Sequence, residues 1–262
     1  MANTALLIPV YNDLEGLRHS LHRLSDEVPL DIVVVDDGSD PPIASQLFCP
    51  PHRIFLLRLS KNQGIAHALN HGLEWILNRG YKYIARLDAG DVALPGRFRE
   101  QIAFLENHPD YALIGGQVRF VDFADRLVYS EHYPIHYRDI RRHMHLRNVF
   151  IHPTVMMRAS ALLEHGLYRT DIPAAEDYEL FFRLIQHYPA ANSSRELVHV
   201  RLSPGGISSR YRYLQLLSRL RIQLAYFDVL MPESYFGVLQ TLALLGVPRS
   251  LRLAIKRFLG KR

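Results

Sequence analysis

Four short apolar runs, each closed by a polar tip, constrain this chain more than any other feature. They are "TALLIPV" (4–10), "LDIVVVDD" (30–37), "RIFLLRL" (53–59) and "YKYIARLD" (81–88). All have strand length, and the second is a continuous β-branched run of the kind a buried parallel strand shows. Helical spacing falls between them. One helix is expected from about Leu14, with Leu17, Leu21 and Leu24 on one stripe. Another is expected from about Gln63 to Asn78, carrying Ala66, Leu69, Leu73, Trp75 and Leu77. Strands alternating with helices imply parallel pairing through right-handed crossovers, hence an α/β sheet. Ligands of such sheets gather at the carboxyl ends of the strands. The tips "YN", "DDGSD", "SKNQG" and "DAGD" fall there. Alone, "DDGS" reads as a turn with a helix cap and "NQG" as a capped helix start. Four polar tips on one sheet edge read as a site.

The second half is less regular. "YALIGGQVRFVD" reads as a strand with a Gly-Gly irregularity. "NVFIHPTVMMR" reads as a strand interrupted at Pro153, which suits an edge or a bulge. "AAEDYELFFRLIQ" opens a helix with Glu176 and Asp177 in its first turn and Leu180, Phe181, Leu184 and Ile185 on its buried face. "SPGGISS" reads as a loop.

Composition enters through charge. At 262 residues, 48% hydrophobic and 22% charged, the chain suits one large ordered domain. Its net charge of +5 comes from the tail, where Arg249, Arg252, Lys256, Arg257, Lys261 and Arg262 follow the last acid, Glu233. Without those six, 25 basic residues face 26 acidic ones, so the body is nearly neutral and nucleic acid is not an expected partner. The one cysteine, Cys49, permits no internal disulfide, and "ALLIPVYN" lacks the build of a signal peptide; both suit a cytoplasmic, reducing setting. In "PRSLRLAIKRFLGKR", Leu251, Ala254, Ile255, Phe258 and Leu259 form a helical stripe flanked by basic residues. The preceding "YFGVLQTLALLGV" is apolar on all sides but shorter than the roughly 20 residues of a bilayer span. Two readings stand for this tail. It packs on the domain, or residues 249–262 lie on an anionic membrane surface at about 1 kcal/mol per basic residue, on the cytoplasmic face of an inner membrane.

In order, "IPVYN", "VVVDDGSD", "NQGIAHALNHGL", "ARLDAGDVALPGRF", "GLYR" and "AEDYELFFRL" resemble a family 2 glycosyltransferase of the bacterial cell-surface polysaccharide type, from about residue 4 to 212. The resemblance implies the GT-A fold: a Rossmann-like, mixed and mainly parallel sheet flanked by helices. It places a glycosyltransferase domain at 1–212, with a nucleotide-sugar half to about residue 100 and an acceptor half after it. An amphipathic helical extension follows over 213–262. It also implies transfer of a sugar from a nucleotide diphosphate donor of the UDP type, with inversion, to a hydroxyl of a glycan or lipid-linked acceptor. Carried over by position, Pro9, Tyr11 and Asn12 match the stretch lining the donor's base, with the tyrosine ring stacked on it. Asp37 matches the acid that hydrogen-bonds uracil, Asn62 and Gly64 the loop beside the nucleotide, Asp88 the metal and ribose acid, and Asp177 the catalytic base. A divalent Mn²⁺ or Mg²⁺ would spread the charge of the departing diphosphate. A base acting on the acceptor hydroxyl contributes about 10²–10⁴-fold.

The chain departs from the family's usual acid–any–acid–acid string at Gly90. Either Asp91 turns inward as a metal ligand beside Asp88, or Asp88 binds alone, or phosphate holds most of the metal; Asp91 also suits a helix cap or turn ahead of Pro95. His152 and Thr154 fall where the family places acceptor-side residues. Glu176 either raises its neighbour's pKa by like-charge repulsion or is a plain helix-start acid. Of Arg97 and Arg99, either one braces a carboxylate of the motif or both belong to a solvated helix face, the reading preferred from sequence. A sugar nucleotidyltransferase would need a glycine-rich basic phosphate loop after the first strand, and "IPVYNDLEG" is not one. A catalytically degenerate nucleotide-sugar or glycan-binding protein of the same fold remains the alternative.

Overall fold

A computed structural model describes residues 3–24, 28–44, 52–202 and 211–246. Its first half follows the alternation in the sequence. It runs β1 (Thr4–Val10), α1 (Leu14–His22), β2 (Asp31–Asp36), β3 (Arg53–Arg58), α2 (Ile65–Leu77) and β4 (Tyr83–Arg86). β1 and β2 are buried along their whole length, as strands covered on both faces must be. They pair in parallel, Val10 opposite Asp36, and β3 and β4 extend the parallel set on either side. The Asp13 carboxylate caps α1 by accepting the Gly16 N–H at 2.9 Å. α2 covers the sheet with Ala68, Leu69, Leu73 and Ile76.

The second half runs β5 (Val92–Ala93), α3 (Arg97–Asn107), β6 (Leu113–Val121), β7 (Leu127–Glu131), α4 (Tyr137–Met144), β8 (Met156–Arg158), α5 (Ala159–His165), α6 (Glu176–Ile185) and β9 (Ala190–Arg201). Two helices, α7 (Arg212–Ala225) and α8 (Pro232–Gly246), end the described chain. The described strands form one nine-stranded mixed sheet in the order β3-β2-β1-β4-β8-β6-β9-β5, with β7 beside β6. With its flanking helices this is the GT-A, Rossmann-like architecture.

Several expectations are corrected here. Pro153 lies on no sheet edge: it is the middle residue of a 3-10 turn, His152–Thr154, where its missing N–H costs no ladder bond. The strand that follows is only three residues long and lies inside the sheet, antiparallel to both β4 and β6. The Gly-Gly irregularity is real, as the β6–β9 register shifts between Gly115 and Gln117. β9, twelve residues long, had no counterpart in the sequence pattern. Among the described residues no helix is long and apolar enough to cross a membrane. The tail at 249–262 and the "SPGGISS" segment lie outside the described residues.

Candidate active site

The parallel strands deliver their carboxyl ends to one edge. Leaving β1, Tyr11 projects half exposed, while Pro9 is buried opposite Val35 and shapes the strand end from within. Asn12 adopts a positive φ of 52°. Its N–H donates to Ser39 Oγ and its side-chain oxygen accepts the Asp40 N–H, both at 2.9 Å, which staples the β1 tip to the β2 tip. Asp37 is 4% exposed and accepts three hydrogen bonds. Gln63 N–H reaches one oxygen at 2.8 Å; Gly64 N–H and Asn62 Nδ2 reach the other at 2.9 and 3.0 Å. One carboxylate thus shapes the whole "NQG" loop. A carboxylate has about four acceptor positions, so one remains on Asp37 Oδ1.

The "DAGD" tip answers why two acids stand three residues apart. Arg86, 1% exposed, closes β4 and pairs with Asp88 at 2.5 Å. Arg97, expected on a solvated helix face, is fully buried instead. Its Nη2 donates to the Arg86 carbonyl at 2.7 Å and its Nε to Gln101 at 3.1 Å. Burial pulls the Arg97 guanidinium down to about 9. Positive charge between and beneath the acids therefore comes first from two arginines. Asp88 keeps 42% of its side chain exposed. Burial pushes its carboxyl up, but the charge and hydrogen bond of Arg86 outweigh that and hold it below the usual range.

Gly90 adopts φ +98°, and its N–H donates to Ser20 Oγ of α1 at 2.9 Å. An acid there would sit in backbone that favours glycine. Asp91 does turn inward, but into a competing use. It is 4% exposed, and its Oδ1 accepts the Arg201 N–H of β9 at 2.9 Å. Burial, then the charge of Asp88, pushes it well above the usual range.

Across the edge, the first turn of α6 carries Glu176 and Asp177. Asn148 Nδ2 donates to Asp177 Oδ2 at 3.0 Å, and the Tyr178 N–H to its Oδ1 at 2.7 Å. Burial and the adjoining Glu176 charge raise the Asp177 carboxyl to about 7. Glu176, also buried, is raised as well. His152 Nε2 lies 2.8 Å from the Tyr168 hydroxyl, and burial beside Arg86 lowers its ring to about 3. Asn70 of α2 grips the Tyr168 backbone through its N–H at 2.9 Å and its carbonyl at 2.8 Å, tying the "GLYR" segment to the first half of the chain. Thr154, expected on the acceptor side, is fully buried. Its hydroxyl donates to the Ile151 carbonyl at 2.7 Å, so it supports the turn under His152.

Asp88, Glu176, Asp177, His152 and Tyr168 fall in one electrostatic neighbourhood. Arg86 acts on His152, Tyr168 and Glu176, and Asp88 acts on Asp177. β1 separates the strands that lead to Asp37 and Asp88, so those two tips stand roughly 10 Å apart. Sequence reasoning missed Arg86, Asn70, Asn148 and Tyr168. Arg86 did carry a signal, as the one charge inside an otherwise apolar strand core.

A GT-A sheet with acids gathered at the carboxyl ends of its strands is the architecture of a glycosyltransferase. The chain belongs to glycosyl transferase family 2, whose model matches residues 5–166 and so ends before Asp177. It is 30% identical over 251 residues to the amylovoran biosynthesis glycosyltransferase AmsE of Erwinia amylovora, covering 88% of this chain and 90% of that protein. It is 27% identical to the O-antigen biosynthesis glycosyltransferase WbnJ of Escherichia coli, over 60% of this chain and 61% of that one. Among solved structures, S. aureus TarS 1-349 in complex with UDP-GlcNAc superposes with a TM-score of 0.67 at 16% identity, covering 92% of this chain and 71% of that one. The mannosyltransferase PcManGT of Pyrobaculum calidifontis, in complex with GDP-Man and Mn²⁺, gives a TM-score of 0.65 at 16% identity, covering 93% and 70%.

Proposed function

We propose that this chain transfers a sugar from a UDP-type donor, with inversion, to a hydroxyl of a glycan or lipid-linked acceptor in the making of a bacterial surface polysaccharide. One observation carries the reading: Asp177 is a half-buried carboxyl raised to about 7, held by Asn148 on the acceptor side of the edge that bears Asp88. A base poised near neutrality can take the acceptor's hydroxyl proton and hand it on afterwards. The freed oxygen attacks the anomeric carbon. The bond from that carbon to the diphosphate oxygen breaks on the opposite face, and the nucleoside diphosphate leaves with the electron pair.

On the donor side Tyr11 stacks on the base, and the spare lone pair of Asp37 accepts a base N–H. Asn12, Asn62 and Gly64 line the nucleotide. His152 and Glu176 border the acceptor. Asp88 suits a divalent cation: it is an exposed hard-oxygen ligand with one oxygen already paired to Arg86. Among the described residues no group of three or more potential ligands gathers, which suits an ion held largely by the donor's phosphates. Bound there, Mn²⁺ or Mg²⁺ would offset the charge of the leaving diphosphate. Asp88 is the ligand we assign, and Asp91 braces the loop beneath it.

A panel of nucleotide sugars tests this, read by thermal shift with and without Mn²⁺ and by transfer to a lipid-linked glycan. Asp177→Asn should lose about 10²–10⁴-fold in kcat while its nucleotide-induced shift stays intact. Undiminished turnover in that variant would remove Asp177 from the reaction.

A further inference from the structure

α8 is built inside out. The residues it turns toward the protein are Ser234, Gly237 and Thr241, while Phe236 and Leu239 stand 66% and 62% exposed. Polar contacts fix that orientation. Ser234 Oγ meets His145 Nδ1 at 2.9 Å, and Thr241 Oγ1 donates to Gln223 of α7 at 2.7 Å. A Cβ on Gly237 would lie 1.9 Å from the His145 carbonyl oxygen, so the helix cannot roll its apolar side inward. The α7–α8 turn continues the ridge, with Leu230 at 89% exposure. A soluble helix shows the reverse arrangement, and contiguous exposed apolar surface marks an interaction site.

The charge around this ridge is positive. Among the described residues of α7, α8 and the turn between them three arginines, Arg212, Arg219 and Arg221, stand against two acids, Asp228 and Glu233, and the sequence after Gly246 adds six Lys and Arg and no acid. Both acids are already taken, by Arg141 at 3.5 Å and Arg142 at 2.6 Å. A recess of about 280 Å³ between α4 and α8 joins Phe236 and Leu146 to His143 and Arg147. Arg147 adjoins Asn148, which holds Asp177. On the other flank, Ser218 of α7 donates to the Pro173 carbonyl at 2.7 Å, four residues ahead of Asp177. The ridge therefore borders the acceptor side of the site.

We propose that the α7–α8 ridge is the face by which this protein docks on an anionic lipid bilayer, placing a lipid-linked acceptor's glycan before Asp177. The second clause rests on the transfer reaction above. An apolar ridge with basic flanks is what an anionic interface takes up: side chains enter the headgroup boundary while Arg and Lys meet lipid phosphates. A two-fold pairing of two copies would instead bring this positive charge against itself.

Flotation of the full chain tests the docking without any donor present. Vesicles of phosphatidylcholine mixed with phosphatidylglycerol should carry the protein upward, and phosphatidylcholine alone should carry far less. Phe236→Glu with Leu239→Glu should cut that binding by more than about tenfold, since each large apolar side chain kept in water forfeits at least that factor. Both positions are solvent-exposed, so the thermal midpoint and the nucleotide-induced shift should not move. Equal flotation of the variant, equal flotation on both vesicle types, or no flotation of either protein would overturn the proposal. So would a dimer seen by light scattering that the double substitution dissolves, which would assign the ridge to a second copy. Because docking is read without nucleotide, a failed transfer reaction and a failed membrane contact remain separable.

Discussion

Two carboxylates of this enzyme, Asp37 after β2 and Asp177 in the first turn of α6, are held under opposite conditions. Asp37 accepts two backbone N–H groups and a side-chain amide, all from one loop, so its charge is used up in holding that loop. Asp177 accepts one amide and one N–H, is half-buried, and has Glu176 as its neighbour in the chain. A carboxylate surrounded by donors builds structure. One left short of donors beside another acid is primed to bind a proton. Residue type alone does not separate these roles, and the count of donors does.

The sharpest way to break this contrast is the pH profile. If Asp177 is the base, kcat should fall on the order of 100-fold from the plateau to two pH units below its value of about 7. An acid limb near 4, where an ordinary carboxylate titrates, would show that Asp177 is not the titrating group. The same Asp→Asn change should then move stability in opposite directions at the two sites. Asp37→Asn turns an amide NH₂ toward donors that need an acceptor, at a cost of about 2–3 kcal/mol in urea unfolding. Asp177→Asn should be neutral or stabilising at pH 8. The sign follows from linkage: a carboxyl raised in the folded state favours folding when protonated, and that advantage is lost as pH rises toward about 7. Equal losses at both sites would erase the distinction. A smaller effect should follow from Asn148→Ala, which removes a donor to the charged form of Asp177. The expected loss is about tenfold in kcat at pH 7, with the acid limb moving to higher pH. An unmoved limb would make Asn148 a packing residue only.

The first half of the fold was legible because its strands are unbroken apolar runs and α2 and α6 keep a clear helical period. β9 was not. "AANSSRELVHVR" alternates poorly and is a strand because β6 and β5 flank it, a tertiary cause that local pattern cannot show. At the site, Asp88 and Asp177 stood out as acids at a strand tip and a helix start. Arg86 was overlooked and Arg97 was assigned to a solvated helix face because arginine is expected in water. Their burial depends on Asp88, Gln101 and a carbonyl oxygen that adjoin them only in the folded chain. Asn148 was hidden for the same reason, lying 29 residues from the carboxylate it orients.

Gly90 gives the smallest effect and the finest test of why the acids of this edge differ. Restoring the family's usual acid with Gly90→Asp meets no wall, since the atom nearest to an added Cβ is Gly16 Cα at 4.0 Å. The obstacle is the backbone at φ +98°, where a residue with a Cβ costs about 1–2 kcal/mol. Without metal, the variant's thermal midpoint should fall by about 2–4 °C per kcal/mol of that strain. With Mn²⁺ and UDP present, a second carboxylate near Asp88 should recover part of the loss. Full recovery would mean that the missing acid had limited metal binding. No recovery would mean that this edge leaves the ion to Asp88 and the phosphates, with Gly90 kept for the turn that lets Asp91 reach the backbone of β9.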